Sequence, residues 1–407
     1  MIFITSFSLL PSMSYAANTA LVELIQILKN KGSITEEEFQ LLQKAAATDE
    51  QQAQTTPVQV VTTEKVPEKV AVANKTEKSG DSWTDKLTLK GDMRLRYQTQ
   101  ENDPGVSRDR TRIRFRLGMT ALPSDGWEVG GGLASGAPDL RSSNQTITDT
   151  FSKKPVNLDY AYAQYKFNDS FKLIAGKFKF PAYLYTASDY MWDGDVNPEG
   201  FAGNFSHKSA LGTTFINSGY WILTENANSR KDPYLMYGQI GQNFEQGDVF
   251  GSLAGTYYSF KEILARNSFT TAGSNTDYHF GGIYSVAGEL GLSNFLNTGI
   301  KTSVLADWAN NSDTKSAKDS GLLLGVKVSE GDWAFRYLFG DLEVNAWPDI
   351  FADSERYEGL TGIKGHELVL EYEIMKNVML AIDYYTMSRS AIRTDQDLLH
   401  MDLNVKF

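Results

Sequence analysis

The sequence predicts an all-β chain, a transmembrane antiparallel β-barrel of about sixteen strands preceded by a short helical hairpin and a linker. Three observations predict it. From residue 86 onward, apolar and polar residues alternate with a period of two. The alternating segments are joined in turn by short and long connections. No internal run of about 18 apolar residues exists to form a membrane helix, and a barrel needs none, because only every second residue of a strand faces lipid.

Bulk composition does not reveal this class. Charged residues make up 22% of the 407 and apolar residues 41%, as in an ordinary soluble protein, but 34 glycines and 12% aromatics are spread along nearly the whole length. The formal charge of −11 argues against general nucleic-acid binding. The absence of cysteine removes thiol catalysis, zinc–thiolate sites, disulfides and lipoprotein anchoring together. His207, His279, His366 and His400 are the four histidines, and they show no ligand-like spacing. No cofactor and no metal site are expected.

At the amino end, Ile2 to Leu10 is apolar, and Ser14 and Ala16 fit the small-residue positions of a signal-peptidase site, so 1–16 reads as a signal peptide despite the missing basic n-region. Residues 17–53 read as a helical hairpin. Leu21, Leu24, Ile25 and Leu28 share one helical face, and Lys29, Lys31 and Gly32 make a stop. Thr35 with Glu38 is a capping box opening a second helix, with Phe39, Leu41 and Leu42 apolar. Two helices this short build no core alone, so they should self-associate or dock. A spacer, and an oligomerisation or cell-wall-contacting element, both remain open. Residues 54–85 read as an extended charged linker, rich in Thr, Val, Lys, Glu and Pro, and the composition shifts at Ser82-Trp83.

The barrel is expected over 86–407. In its first strand Leu87, Leu89, Met93, Leu95 and Tyr97 alternate with Thr88, Lys90, Asp92, Arg94 and Arg96. In the second, Thr111, Ile113, Phe115, Leu117 and Met119 alternate with Arg110, Arg112, Arg114 and Arg116. A helix would scatter these arginines round every face, whereas a strand gives two clean sides. The same alternation recurs in Ile300–Trp308, Leu322–Val328, Leu368–Ile374, Val378–Tyr384 and Met401–Phe407.

The strands are expected near 86–98, 108–122, 127–136, 157–167, 171–180, 200–207, 210–225 and 233–244. They continue at 248–260, 277–290, 298–309, 319–330, 331–343, 365–374, 377–388 and 396–407. Connections then alternate strictly, with long ones near 99–107, 137–156, 181–199, 226–232, 261–276, 310–318, 344–364 and 389–395. Short periplasmic turns and longer external loops are the habit of outer-membrane barrels. An even strand count puts both barrel ends on the periplasmic side. Tyr97, Trp127, Phe167, Trp308, Trp333 and Tyr384 lie near strand ends, where amphipathic rings sit at the lipid–water boundary.

The last alternating segment runs straight into Phe407, which looks like the terminal-aromatic assembly signal of Gram-negative barrel proteins. The stretch Trp192-Asp193-Gly194-Asp195-Val196-Asn197-Pro198-Glu199-Gly200, with Gly176-Lys177-Phe178-Lys179 before it, resembles the putative outer-membrane porin family of Gram-negative bacteria. That resemblance spans essentially the whole mature chain and implies a short helical segment before the barrel. More loosely, the chain resembles the sixteen-stranded trimeric general porins. This second resemblance implies a homotrimer and a loop between strands five and six, here 181–199, folded into the lumen. The implied partners are outer-membrane lipid, the barrel-assembly machinery and small hydrophilic solutes, with the amino-terminal segment in the periplasm.

A barrel of this strand number is too wide for wall side chains to fill, so an aqueous channel for passive diffusion is expected. Parity points Arg94, Arg96, Arg110, Arg112, Arg114 and Arg116 into the lumen, because each would cost about 2–4 kcal/mol facing lipid near the midplane. An inward arginine wall attracts anions. Asp189, Asp193, Asp195 and Glu199 are the candidates to face it from a constriction loop; Asp193 and Asp195 are also hard oxygen donors of the kind calcium takes. Glu371, Glu373, Asp383 and Asp402 point inward too, so the interior is mixed. The rival readings are a substrate-specific channel for phosphate or a sugar, an adhesive or structural barrel, and a barrel-embedded enzyme, for which no Gly-x-Ser-x-Gly elbow is visible.

Overall fold

A computed structural model describes residue 40 and residues 86–227, 231–263, 273–389 and 393–407. The signal peptide, helical hairpin and linker read from 1–85 lie outside the described residues, Gln40 apart. The strands are β1 (Leu87–Asp103), β2 (Arg108–Ala121), β3 (Trp127–Ser135), β4 (Gln145–Thr146), β5 (Val156–Lys166), β6 (Phe171–Lys177), β7 (Glu199–Ser209), β8 (Gly212–Ile222) and β9 (Tyr234–Gln246). They continue as β10 (Val249–Lys261), β11 (Ile283–Phe295), β12 (Ile300–Asn311), β13 (Ser320–Glu330), β14 (Trp333–Leu342), β15 (Ile363–Met375), β16 (Val378–Arg389) and β17 (Thr394–Lys406).

Two-residue β4 pairs only with β2, at Arg112 and Ile113, and belongs to a loop. The other sixteen pair antiparallel with their neighbours, and β1 pairs with β17 from Asp92↔Lys406 to Asp103↔Asp395, which closes the cylinder. Phe407 extends this seam: its backbone exchanges hydrogen bonds with Gly91 at 2.8 and 3.0 Å, and its ring stacks on Phe115. Closure leaves no sheet edge.

The sixteen expected segments all correspond to wall strands, with two corrections. β11 begins at Ile283 rather than near 277, because Phe280 leaves the wall and is buried in an interior cluster, with Tyr278 packed against it. Strict alternation of connection length also fails, since β1 runs on to Asp103 and β17 begins at Thr394. The first and last loop-side connections, 104–107 and 390–393, are therefore as short as turns. The longer ones are L2 (136–155), L3 (178–198), L4 (223–233), L5 (262–282), L6 (312–319) and L7 (343–362).

Period-two patterning sorts the two faces of the wall. Leu89, Met93, Leu95, Tyr97, Phe115 and Met119 are 41–59% exposed on the outer face, whereas Arg96 between them is 3% exposed and points inward. The six aromatics singled out above are exposed on the outside as well. Trp127, Phe167 and Trp333 lie at the turn end; Trp308 and Tyr384 lie near the loop end.

The interior is not an empty tube. Phe178, Phe180, Tyr183, Leu184, Tyr190, Met191 and Trp192 of L3 are buried with Ala346, Trp347, Ile350 and Phe351 of L7. They pack on inward residues of the wall, including Trp221, Tyr258, Leu305 and Leu323. Trp192 sits at the centre, with ring centroids 5.4 Å from both Trp221 and Trp347 and 5.0 Å from Phe351. Aromatic pairs at such spacings add to what burial of their area supplies.

L3 leaves the wall between two opposed glycines. Gly176 on β6 pairs with Gly200 on β7, at φ +119° and +144°. A side chain there is strained at that φ, and one at Gly176 would also collide with the Ala161 carbonyl. Gly176→Val is accordingly expected to weaken the β5–β6–β7 region and lower the temperature at which the barrel loses its heat-modifiable gel mobility.

Candidate functional site

On the inner face of β1 and β2 the register sets arginines directly opposite each other: Arg94↔Arg114 and Arg96↔Arg112. Like charges in facing positions destabilise a sheet unless something neutralises them. Carboxylates on β1 itself, on β17 and in L7 do much of that. Asp92 accepts from Arg114 at 2.8 Å and from Arg116 at 2.8 Å. Asp402 on β17 takes Arg96 in a two-pronged pair, with both bonds 2.7 Å, and lies 3.6 Å from Arg94. Glu355 of L7 accepts from the third Arg96 nitrogen at 2.6 Å and lies 3.2 Å from His400.

Burial pushes the Glu355 carboxyl up, but His400, Arg96 and Arg94 outweigh it and hold the group well below the usual carboxylate range. The folded value is depressed, so the tie's stabilisation is present above the ordinary glutamate pKa. It is lost only as pH falls through the depressed value.

Arg110 and Arg112 differ from the rest. Their side-chain hydrogen bonds go to the amides of Gln100 (3.3 Å) and Gln98 (3.2 Å), and no carboxylate lies in ion-pair range among the described residues. These two rungs keep their charge for the lumen. All six expected arginines therefore line one face, four compensated by carboxylates and two not.

The four acidic candidates separate. Asp195 meets the wall, 3.0 Å from Arg116, and its other oxygen accepts from Ser143 of L2. Asp193 turns away into the L3–L7 contact, where its carboxylate accepts from the backbone nitrogens of Asp195 (2.9 Å) and Ser354 (2.8 Å). Asp189 is half exposed, 3.7 Å from Arg356 of L7. Glu199 is the first residue of β7, exposed and paired with Lys177 at 2.9 Å, so it lies in the wall and not in the loop. Asp193 and Asp195 thus spend their oxygens on different partners, and no group of three or more acidic or histidine side chains suited to a metal occurs among the described residues.

What pattern alone missed is that several loops knit into one body. The Asp349 carboxylate of L7 accepts from the backbone nitrogens of Ser274 (2.6 Å) and Asn275 (3.1 Å) in L5. Arg141 of L2 donates to the carbonyls of Asp349, Ala352 and Gly359 in L7 at 3.0–3.4 Å. Phe351 accepts from Asp193, and Tyr190 from Asp353, joining L3 to L7. A signal was available: Tyr190-Met191-Trp192 and Trp347–Phe351 are too apolar for loops in water. Beside this plug a polar cavity of about 760 Å³ remains, lined by Asp92, Arg94, Arg114 and Arg116 on one side and Glu371 and Asp383 on the other.

A family model described as "Putative porin" matches residues 103–318 and 290–407. The chain belongs to this porin family. No curated protein sequence matches it. Among solved structures, two engineered mutants of the Rhodopseudomonas blastica porin are similar, each with a TM-score of 0.48. Their identities are 13% and 14%, and the match covers 79% of this chain and 100% of theirs. As a porin, the chain is a channel-type barrel, and its interior holds the arginines of β1 and β2 and the plug of L3 and L7.

Proposed function

We propose that this porin spans the Gram-negative outer membrane and lets small hydrophilic solutes diffuse passively along the arginine face, with anions favoured. One observation carries the reading. Of the six arginines on the inner face of β1 and β2, Arg94, Arg114 and Arg116 line the cavity beside the plug, and Arg110 and Arg112 have no carboxylate in ion-pair range among the described residues. A fixed positive field in a narrow water path raises local anion concentration and needs no chemistry from the protein.

Membrane placement is supported by the apolar outer face with its aromatics near both ends. An outer hollow of about 1160 Å³ over β5–β9, lined by Leu173, Phe201, Phe205, Ile216 and Met236, has the character of a surface that meets acyl chains. With the loops outside the cell, the chain enters β1 from the periplasmic side. A homotrimer, assembled by the barrel-assembly machinery, follows from the porin resemblance.

A second reading, a substrate-specific channel for phosphate or a sugar, is favoured by the plug, which leaves far less room than an open cylinder. Planar-bilayer recording on the detergent-purified protein tests both. Stepwise conductance with a reversal potential on the chloride side is the expected result; current block by phosphate or a sugar at low concentration would favour the specific channel. Absence of any conductance would point to an adhesive or structural barrel. Protein that stays dispersed without detergent would end the membrane reading.

A further inference from the structure

We propose that the tip of L2 anchors a phosphate-bearing lipid of the outer leaflet, with Phe151 entering the acyl region and Lys153 and Lys154 meeting the phosphates. This rests on the reading of the barrel as spanning a membrane with its loops outside.

The backbone of the tip carries the inference. Asp149, Thr150 and Phe151 stand one after another in the left-handed region, at φ +60°, +50° and +65°. None is glycine, and Thr150 is branched at Cβ, so the conformation is disfavoured at all three. Local hydrogen bonds hold it. The Ser152 nitrogen donates to the Asp149 carbonyl at 3.1 Å, the Thr148 hydroxyl to the Asp149 carboxylate at 2.8 Å, and Lys154 Nζ to the Thr148 carbonyl at 3.4 Å. The turn holds Phe151 out at its summit, 99% exposed. A large ring presented by a strained backbone points to a contact made outside the chain.

Register tells on which side of the wall the tip stands. Gln145 pairs with Ile113, and the Ile147 nitrogen donates to the Thr111 carbonyl at 2.8 Å, so Ile147 shares the outer side with Ile113. After the tip, Val156 and Leu158 pair with Ser135 and Leu133 and face outward too. Ile147, Val156 and Leu158 are 54–61% exposed. The tip therefore rises from the apolar outer belt and not from the lumen.

Charge narrows the occupant. The chain carries 39 basic residues against 50 acidic ones, yet residues 147–155 hold Lys153 and Lys154 against Asp149 alone, whose carboxylate accepts from Thr148. An exposed ring beside two lysines fits a surface with acyl chains below and phosphates above. The ring supplies apolar burial and each ammonium a phosphate contact, and the two together bind where either alone is weak.

Native mass spectrometry of the purified full-length protein in detergent, titrated with diphosphoryl lipid A or with phosphatidylcholine, tests this. The unmodified protein is expected to retain lipid A in preference. Lys153→Gln/Lys154→Gln should weaken lipid A retention about fivefold or more and leave phosphatidylcholine unchanged. Phe151→Gly should weaken lipid A retention while its heat-modifiable transition holds or rises, because glycine accepts φ +65°. Lipid A retention that is the same in either variant as in the unmodified protein overturns the anchor and leaves the membrane reading standing. Unchanged retention by Phe151→Gly together with a smaller oligomer on a native gel also overturns it, and places the tip between copies of this chain. Protein that stays dispersed without detergent overturns both readings.

Discussion

Trp192→Ala is expected to raise single-channel conductance several-fold and to lower thermal stability while leaving the barrel assembled. The ring is 2% exposed and contacts Phe180, Trp221, Tyr258, Trp347 and Phe351, so it joins L3, L7 and the wall at one point. Truncating a buried aromatic of this size costs about 3–5 kcal/mol through lost burial and the cavity left behind. The wall keeps its closed hydrogen-bond ladder, so the loss falls on the plug, whose opening is a local event with a lower free energy than that of the whole fold. Trp347→Ala should act in the same direction. Trp333→Ala, on the outer face at the turn end, should leave conductance as it was. If Trp192→Ala conducts like the unmodified protein, the plug does not limit flow and L3 is only a structural filling.

The second large effect concerns selectivity. Removing Arg110 and Arg112 together, as alanines, is expected to lower the chloride-to-potassium permeability ratio at least about twofold and shift the reversal potential toward zero in a salt gradient. These side chains are the ones whose partners are neutral amides, so their charge is not cancelled inside the protein. Arg114→Ala should do less, because Asp92 then keeps Arg116 and the net change is partly compensated. Arg96→Met serves as a different control. It leaves Asp402 and Glu355 facing each other with a cation removed, which costs about 3–5 kcal/mol for a broken buried pair and shows as instability before it shows as selectivity. An unmoved reversal potential in Arg110→Ala/Arg112→Ala would remove the role given to those two rungs.

The wall was legible because its signal is local and repeated. In β2 the alternation of Arg110, Arg112, Arg114 and Arg116 with Ile113, Phe115 and Leu117 can be read within one segment, and strand geometry turns it into two faces with no further information. The same reading placed Asp383 and Asp402 inside without knowing what they touch. The errors came where the chain leaves the wall. Residues near 277–282 look like strand, since Tyr278 and Phe280 alternate with His279 and Gly281, but Phe280 packs in the lumen, where a buried aromatic contact outweighs further rungs of ladder.

Pairing of the acids was decided by distant parts of the chain. Asp193 and Asp195 are two residues apart, yet one is sealed against Ser354 and the other meets Arg116. Loop composition hints that L3 and L7 are apolar, but not that Trp192 lies against Trp347, 155 positions along the chain.

By itself, then, the sequence determined which side of each strand is oily, that the arginines of β1 and β2 share the wet side, and how many strands close the wall. The reason is that a strand's faces follow from residue order alone. Only the tertiary structure decided that the cylinder is part-filled, which arginines keep an uncompensated charge, and which carboxylates face water. Those outcomes depend on contacts between loops far apart in the chain, where burial of aromatic area outweighs the solvation those loops would have had outside.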